Sequence, residues 1–484
     1  MGLSDRLRRL VPSPVTGWDK RGGGGVLGVP IPQEWRGTSK QVCGLWPFSV
    51  GVGTPMVGVP FGRHLMTGNT VCFDPLSWFS EARLIANPSA FVLGLPGLGK
   101  SSSVRHLIMG LAARGVHSMI LGDLKPDYVD LVRALGGQVI EIGRGRGTIN
   151  PLDAGDVGRV IGKRSIERAL RKELVEDAHG RRLTMMSSLV QLARNAPPSD
   201  REDAILDRCL LVLDTNVSRT PVIGDVLDVI RQAPEPVRQV AIDRGDLDRY
   251  QDITESLEAT LMSIVSGRFG DVFSGQTTVP MDLDRPVVFD VSSINENDKS
   301  LEAAALLCCW SYGFGQINVA NALADAGLAA RRHFLIVMDE IWRALRAGAG
   351  MVDRFDAITR LNRTTGTGQV MVTHTMKDLE ALASEEDRAK ARGFVERAGA
   401  VVAGGLPMSE MSSLTKAVSL SQAEQDMLAS WQDPPAWDVT AGKETKPPGV
   451  GKFLIKVGGR PGIPVKATLT DSELSVNDTN KRWK

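Results

Sequence analysis

Cysteine is scarce, neither sign of charge is in surplus, and no apolar run is long enough to cross a bilayer. The five cysteines in 484 residues are Cys43, Cys72, Cys209, Cys308 and Cys309, with no Cys-x-x-Cys pair and no histidine cluster beside them. That pattern excludes a disulfide-stapled secreted scaffold and reads as free buried thiols in a reducing compartment. Cys308 and Cys309 would point about 100° apart on a helix and make a poor metal pair. Lysine and arginine total 57 against 56 aspartates and glutamates, a formal charge of +1. A chain wrapped by nucleic acid carries a basic excess, so any DNA contact here is confined to a local patch. The longest apolar stretch, Ala303 to Phe314, is interrupted by Ser311, Tyr312 and Gly313. It falls short of the ~20 residues a spanning helix needs and reads as a core-facing helix. The first ten residues carry arginines with no apolar stretch behind them, so no signal peptide is expected. At most, Leu3, Leu7 and Leu10 with Arg6, Arg8 and Arg9 would rest weakly on an anionic surface.

What the chain does contain is a globular composition, 42% hydrophobic and 23% charged, with 51 glycines. The length implies two to four domains, or one domain with large insertions. Residues 1–39 are rich in Pro and Gly and read as a flexible lead-in. Residues 40–85 hold short extended segments (Phe48 to Val52, Met56 to Val59, Val71 to Phe73) and read as a small β layer. From Phe91 the pattern changes to buried strands alternating with helices. Phe91–Leu93, His117–Leu121 and Val139–Ile142 are strands, separated by helices at Gly99–Ala113 and Asp127–Leu135. Such alternation predicts parallel βαβ units in a first half, 86–155. The stretch 156–266 has apolar residues at helical spacing, such as Ile205, Cys209, Leu210 and Leu213, and reads as an all-α insertion. Strand signals return in a second half, 267–430, at Val287–Val291, Phe334–Met338, Gln369–Thr373 and Ala400–Ala403. The last segment, 431–484, contains a closing hairpin, Gly451–Val457 and Pro464–Leu469, around the Gly-Gly-Arg-Pro-Gly turn at 458–462.

Gly94-Leu95-Pro96-Gly97-Leu98-Gly99-Lys100-Ser101 follows a strand and opens a helix bearing Val104, Leu107, Ile108 and Leu111. Glycines let successive backbone N–H groups face phosphate oxygens, and the helix start adds its positive end. Lys100 supplies a point charge for the β- and γ-phosphates, and Ser101, followed by Ser102, supplies a hydroxyl for Mg²⁺. These residues predict a nucleotide-phosphate site. The apolar strand Phe334–Met338 ends in Asp339-Glu340. Carboxylates at the carboxyl edge of a buried strand face the ligand crevice of an open α/β sheet. Asp339 is the expected Mg²⁺ ligand, and Glu340 the general base for an attacking water. ATP and Mg²⁺ are therefore the expected ligands.

These motifs resemble those of the motor ATPases of conjugation and type IV secretion (the VirB/TraC/TrbE class), within the HerA/FtsK branch of RecA-like ATPases. Asp123-Leu124-Lys125-Pro126-Asp127-Tyr128 is similar to that family's Asp-Pro-Lys-Gly-Glu-Tyr segment. Gly147 to Asp153 resembles its Ile-Asn-Pro-Leu-Asp turn, Arg285 to Val291 the strand before the second half, and Asp339-Glu340-Ile341-Trp342 its Asp-Glu-Ala-Trp. The resemblance runs from about Val59 to the C-terminus. It implies a RecA-like α/β P-loop fold with a mainly parallel sheet and an inserted helical subdomain. It also implies an ATP-hydrolysing motor working as a homo-oligomer, expectedly a hexamer, in the cytoplasm at the inner face of the membrane with membrane-embedded channel proteins as partners. The alternative is a DNA translocase of the coupling-protein or FtsK/HerA kind, with DNA as its partner; a third reading is an assembly protein that binds ATP without hydrolysing it.

Three departures stand out. The phosphate loop begins at Gly94, so the long N-terminal domain of larger members is expected to be missing or encoded separately. Thr373-His374 stands where the family has Thr-Gln, and Pro126 where it has Gly. By the same resemblance His374 would sense the γ-phosphate, and Arg360 or Arg363 would act as a trans arginine finger on a neighbour's site. Arg460 would approach the nucleotide base. Arg144, Arg146, Lys163 and Arg164 form a basic cluster read as a solvated face.

Overall fold

The computed structural model describes residues 56–155, 166–216, 219–348, 350–359, 366–382, 384–435, 437–438, 443–444 and 446–476. Residues 1–39, Cys43, Phe48–Val52, Lys163, Arg164, Arg360 and Arg363 lie outside these.

The strands in chain order are β1 (Pro60–His64), β2 (Thr70–Cys72), β3 (Ser89–Leu93), β4 (His117–Asp123), β5 (Gln138–Glu141), β6 (Val287–Asp290), β7 (Phe334–Met338), β8 (Thr367–Val372), β9 (Ala400–Ala403), β10 (Trp437–Asp438), β11 (Lys443–Glu444), β12 (Lys452–Lys456) and β13 (Ile463–Ala467). Eleven of them form one sheet in the order β2-β1-β13-β12-β9-β3-β8-β7-β4-β6-β5, and β10 with β11 forms a separate pair. From β9 to β5 every pairing is parallel. The margin β12, β13, β1 and β2 is antiparallel.

Both faces of the parallel part are covered, which explains why its strands read as unbroken apolar runs. Side chains alternate between two cores with the period of the pleat. Phe334, Ile336 and Met338 of β7 enter one core and Leu335 and Val337 the other; β3 divides Phe91 and Leu93 from Ala90 and Val92 in the same way. The long helix Lys299–Asp325 is buried nearly all round, between the sheet and the helical insertion. A helix apolar on every side belongs in such a position. No helix among the described residues is long and apolar enough to cross a membrane. Cys72, Cys209, Cys308 and Cys309 are free and buried.

The expected β layer takes a different form. Residues 56–59 are not a strand: the Val59 carbonyl still accepts from Phe73, but its amide is diverted to the Asp74 carboxylate. Strand structure starts at Pro60, and β1 and β2 extend the main sheet through β13 instead of forming a layer of their own. The closing hairpin is the bridge, since β12 also pairs with β9. Arg144 and Arg146 make exposed ion pairs with Asp271 and Glu141.

Among the described residues between β5 and β6, the insertion carries helices Arg168–Arg194, Asp200–Asn216, Ile223–Gln232, Glu235–Ala241 and Leu247–Ser266, and a short helix, Gly270–Phe273, follows before β6. His179 joins the first two, with Nε2 2.8 Å from Asp207 and Nδ1 3.3 Å from Asp214. The Asp214 hydrogen bond raises the imidazole above its ordinary range, burial opposes this, and Asp207 adds to the rise. A raised histidine stabilises the fold below its unfolded value of about 6.5 and loses that contribution as pH climbs through the folded value. His179→Gln is therefore expected to cost a few tenths to about 1 kcal/mol at pH 6 and less at pH 8. Thermal midpoints of both proteins at the two pH values check this; an equal difference at both would count against it.

Candidate functional site

The site is built from strand ends. β8 lies between β3 and β7, so the residues following all three strands share one carboxyl edge. At the end of β3 the chain turns at Gly94, whose φ is +153° and whose amide donates to the His374 carbonyl at 2.9 Å. A Cβ there would stand 3.1 Å from the Gly404 Cα, so the close crossing of two backbones requires glycine. Gly99, at φ +96°, precedes the helix Lys100–Ala112 and offers no side-chain cap. The first amides of that helix are thereby left for an external acceptor. Lys100 is 7% exposed and its ammonium donates to the Gly94 carbonyl at 2.5 Å, within the loop itself. Burial lowers Lys100 to about 8, partly opposed by the charges of Asp339 and Glu340.

Across the cleft, Asp339 follows the last residue of β7. Its Oδ2 accepts from the Tyr128 hydroxyl at 2.8 Å and its Oδ1 from the Glu340 amide at 2.8 Å. Burial and the neighbouring Glu340 charge raise its carboxyl. Glu340 takes a left-handed φ of +52°, a conformation that costs of order 1–3 kcal/mol in a non-glycine residue and concentrates at functional sites. Its Oε1 meets the Lys125 ammonium at 3.0 Å and His374 Nε2 at 3.2 Å, and its Oε2 accepts from the Trp342 indole at 2.5 Å. The guanidiniums of Arg343 and Arg346 stack on the Trp342 ring. Burial pushes the Glu340 carboxyl up, but His374 and Lys125 outweigh it and hold the group well below the usual carboxylate range. His374 reaches Glu340 because β8 runs beside β7. Among the described residues, the buried His374 Nδ1 and Thr373 Oγ1 have no hydrogen-bond partner.

The resulting cleft is about 910 Å³ and is lined by Pro96, Gly97, Gly99, Lys100, Ser101 and Ser102 on one side. Asp123, Lys125, Asp339, Glu340 and His374 line the other. Leu95 and Leu98 belong to the same loop: the Leu95 amide donates to Gly405 and the Leu98 carbonyl accepts from Gly451. Leu469 adds a wall together with Leu474 and Ser475 of the helix Asp471–Val476, which Glu473 fastens to His106 at 2.5 Å. Arg460 is not brought here. It sits in the β12–β13 turn, at the opposite end of β12 from Gly451, which neighbours Gly99. Glu424 holds that turn instead, accepting from Gly462 and from buried Lys456. Arg360 and Arg363 lie outside the described residues.

The segment 123–128 contributes more than its motif suggested. The Asp123 carboxylate accepts from the amides of Asp127 and Tyr128 at 3.0 and 2.7 Å, and burial raises it to about 7 against those donors. Arg105 of the phosphate-loop helix donates to the Asp127 carbonyl at 2.8 Å. Lys125, Tyr128 and Arg105 were not assigned roles by local spacing, because their partners are 22 to 215 residues away.

The mainly parallel sheet with its helical insertion is a RecA-like α/β fold similar to that of a solved VirB4 structure. Among solved structures, the chain is similar to VirB4 of Thermoanaerobacter pseudethanolicus, with a TM-score of 0.66 and 17% identity over 88% of this chain and 100% of that one. The plasmid coupling protein TrwB in complex with ADP and Mg²⁺ aligns with a TM-score of 0.49 and 13% identity over 79% of this chain and 86% of its own. No family model matches the sequence, and no curated protein matches it.

Proposed function

We propose that the chain is an ATP-hydrolysing motor of a conjugative or type IV secretion-like apparatus. The observation that carries this reading is the meeting of Lys100, Ser101, Asp339 and Glu340 in one cleft on a VirB4-like fold. Backbone amides from Gly97 to Ser102 and the Lys100 ammonium bind the β- and γ-phosphates of ATP. Glu340 orients a water and takes its proton as that water attacks the terminal phosphorus, while the bond from that phosphorus to the oxygen bridging to the β-phosphate breaks and ADP leaves. The unpartnered His374 Nδ1 and Thr373 Oγ1 are polar groups of the kind a bound ligand satisfies.

Ser101 and Asp339 would hold Mg²⁺. Among the described residues no group of three acidic, histidine or cysteine side chains can hold a metal. A sparse donor set suits Mg²⁺, which keeps several waters and takes one or two protein ligands plus phosphate oxygens. When bound, the ion neutralises charge on the β- and γ-oxygens.

Arg360 or Arg363 of a neighbouring subunit would complete the site in a hexamer, working at the cytoplasmic face of the membrane against channel proteins. Steady-state ATP hydrolysis, measured alone and with added DNA across a salt series, tests the reading. Mg²⁺-dependent turnover indifferent to DNA is the expected result. Turnover that DNA stimulates, with a steep loss on adding salt, would assign the chain to DNA translocation instead. Nucleotide binding without any turnover would make it an assembly protein.

A further inference from the structure

Lys125 lines the cleft with its ammonium beside Glu340, and its placement is uneven: a fixed backbone carries a movable side chain. The backbone on its C-terminal side is held by Asp123, which accepts two amides, and by Arg105, which donates to the Asp127 carbonyl. The side chain is 46% exposed and reaches Glu340 Oε1 at 3.0 Å. An ion pair so open to water is weak and readily exchanged, and a lysine stem is a flexible carrier of a point charge. Glu340 meanwhile has Lys125 and His374 on one oxygen and the Trp342 indole on the other. A carboxylate neutralised in this way is a poor acceptor for a water proton.

We propose that Lys125 is a γ-phosphate-dependent switch: it clamps Glu340 when no triphosphate is bound and transfers to the terminal phosphate when one is, freeing Glu340 to act on water. This inference rests on the function proposed above. Both lysines line the same cleft, and the charge of Lys125 acts on Lys100. A third phosphate brings negative charge that competes with Glu340 for the ammonium, whereas a diphosphate lacks the competing group. Lys125 is thus a positioning residue for Glu340 and a discriminator between triphosphate and diphosphate.

The test compares dissociation constants of ADP and of a non-hydrolysable ATP analogue, both with Mg²⁺, for the wild type, Lys125→Met and Lys125→Arg. Lys125→Met is expected to weaken the triphosphate analogue about tenfold and leave ADP within twofold, while Lys125→Arg keeps the triphosphate preference. Thermal midpoints near that of the wild type establish that each variant is folded. Equal losses for both nucleotides, or no loss for either, would overturn the switch while leaving the ATPase reading intact. Failure of the wild-type protein to bind either nucleotide would overturn the ATPase reading, and the switch with it.

Discussion

Replacing Lys100 with alanine is expected to abolish nucleotide binding without unfolding the protein. The ammonium is the only charged group supplied by the phosphate loop, and a hydrogen bond from a charged donor contributes ~1.5–3 kcal/mol. Losing two such bonds to phosphate oxygens weakens binding by roughly 10²–10⁴-fold, at about 1.4 kcal/mol per factor of ten. Stability should not fall in parallel. Burial already lowers Lys100 to about 8, so the folded state disfavours its charge, and its hydrogen bond within the protein goes to the Gly94 carbonyl. Isothermal titration with ATP beside a thermal melt separates the two effects. Wild-type affinity in a folded Lys100→Ala protein would remove the phosphate loop from the mechanism.

Glu340→Gln should give the opposite pattern, with binding retained and turnover lost. Glutamine keeps the size of the side chain and an oxygen that can accept from Trp342, but it cannot take a proton from water. General-base catalysis contributes about 10²–10⁴-fold, and a fall of that size is expected in single-turnover hydrolysis. The ion pair with Lys125 is also lost, and the exposure of that lysine keeps the cost in stability small. An amide variant as active as the wild type would leave Glu340 a structural cap on the helix Ile341–Leu345, at a φ of +52° that has no functional reason.

Much of the architecture was legible from the residues. Strands buried on both faces read as apolar runs whatever their order in the sheet, so Phe334–Met338 and Ala400–Ala403 were located to the residue. The insertion was legible because apolar residues recur there at helical spacing, as at Ile205, Cys209, Leu210 and Leu213, all of them buried. The β1 and β2 region was harder, because edge strands are short and glycine-punctuated and residues 56–59 look extended while the Val59 amide goes to a side chain instead of a strand. Arg460 was misplaced for a related reason. A hairpin has two ends, and only its contacts tell which faces the cleft: the glycine end meets Leu98, and the arginine end is anchored by Glu424.

By itself, the amino-acid sequence determined the chemistry available: a loop that strips side chains from a backbone beside an ammonium, and two carboxylates at the end of an apolar strand. Those are local properties, fixed by glycine conformation, side-chain type and the two-residue period of a strand. Which groups face one another was decided only in three dimensions. The insertion of β8 between β3 and β7 sets His374 against Glu340, and the turn after β4 carries Lys125 and Tyr128 to carboxylates more than 200 residues further along. Strand order is settled by packing the whole sheet between its helices, and no short stretch of the chain encodes that global balance of burial.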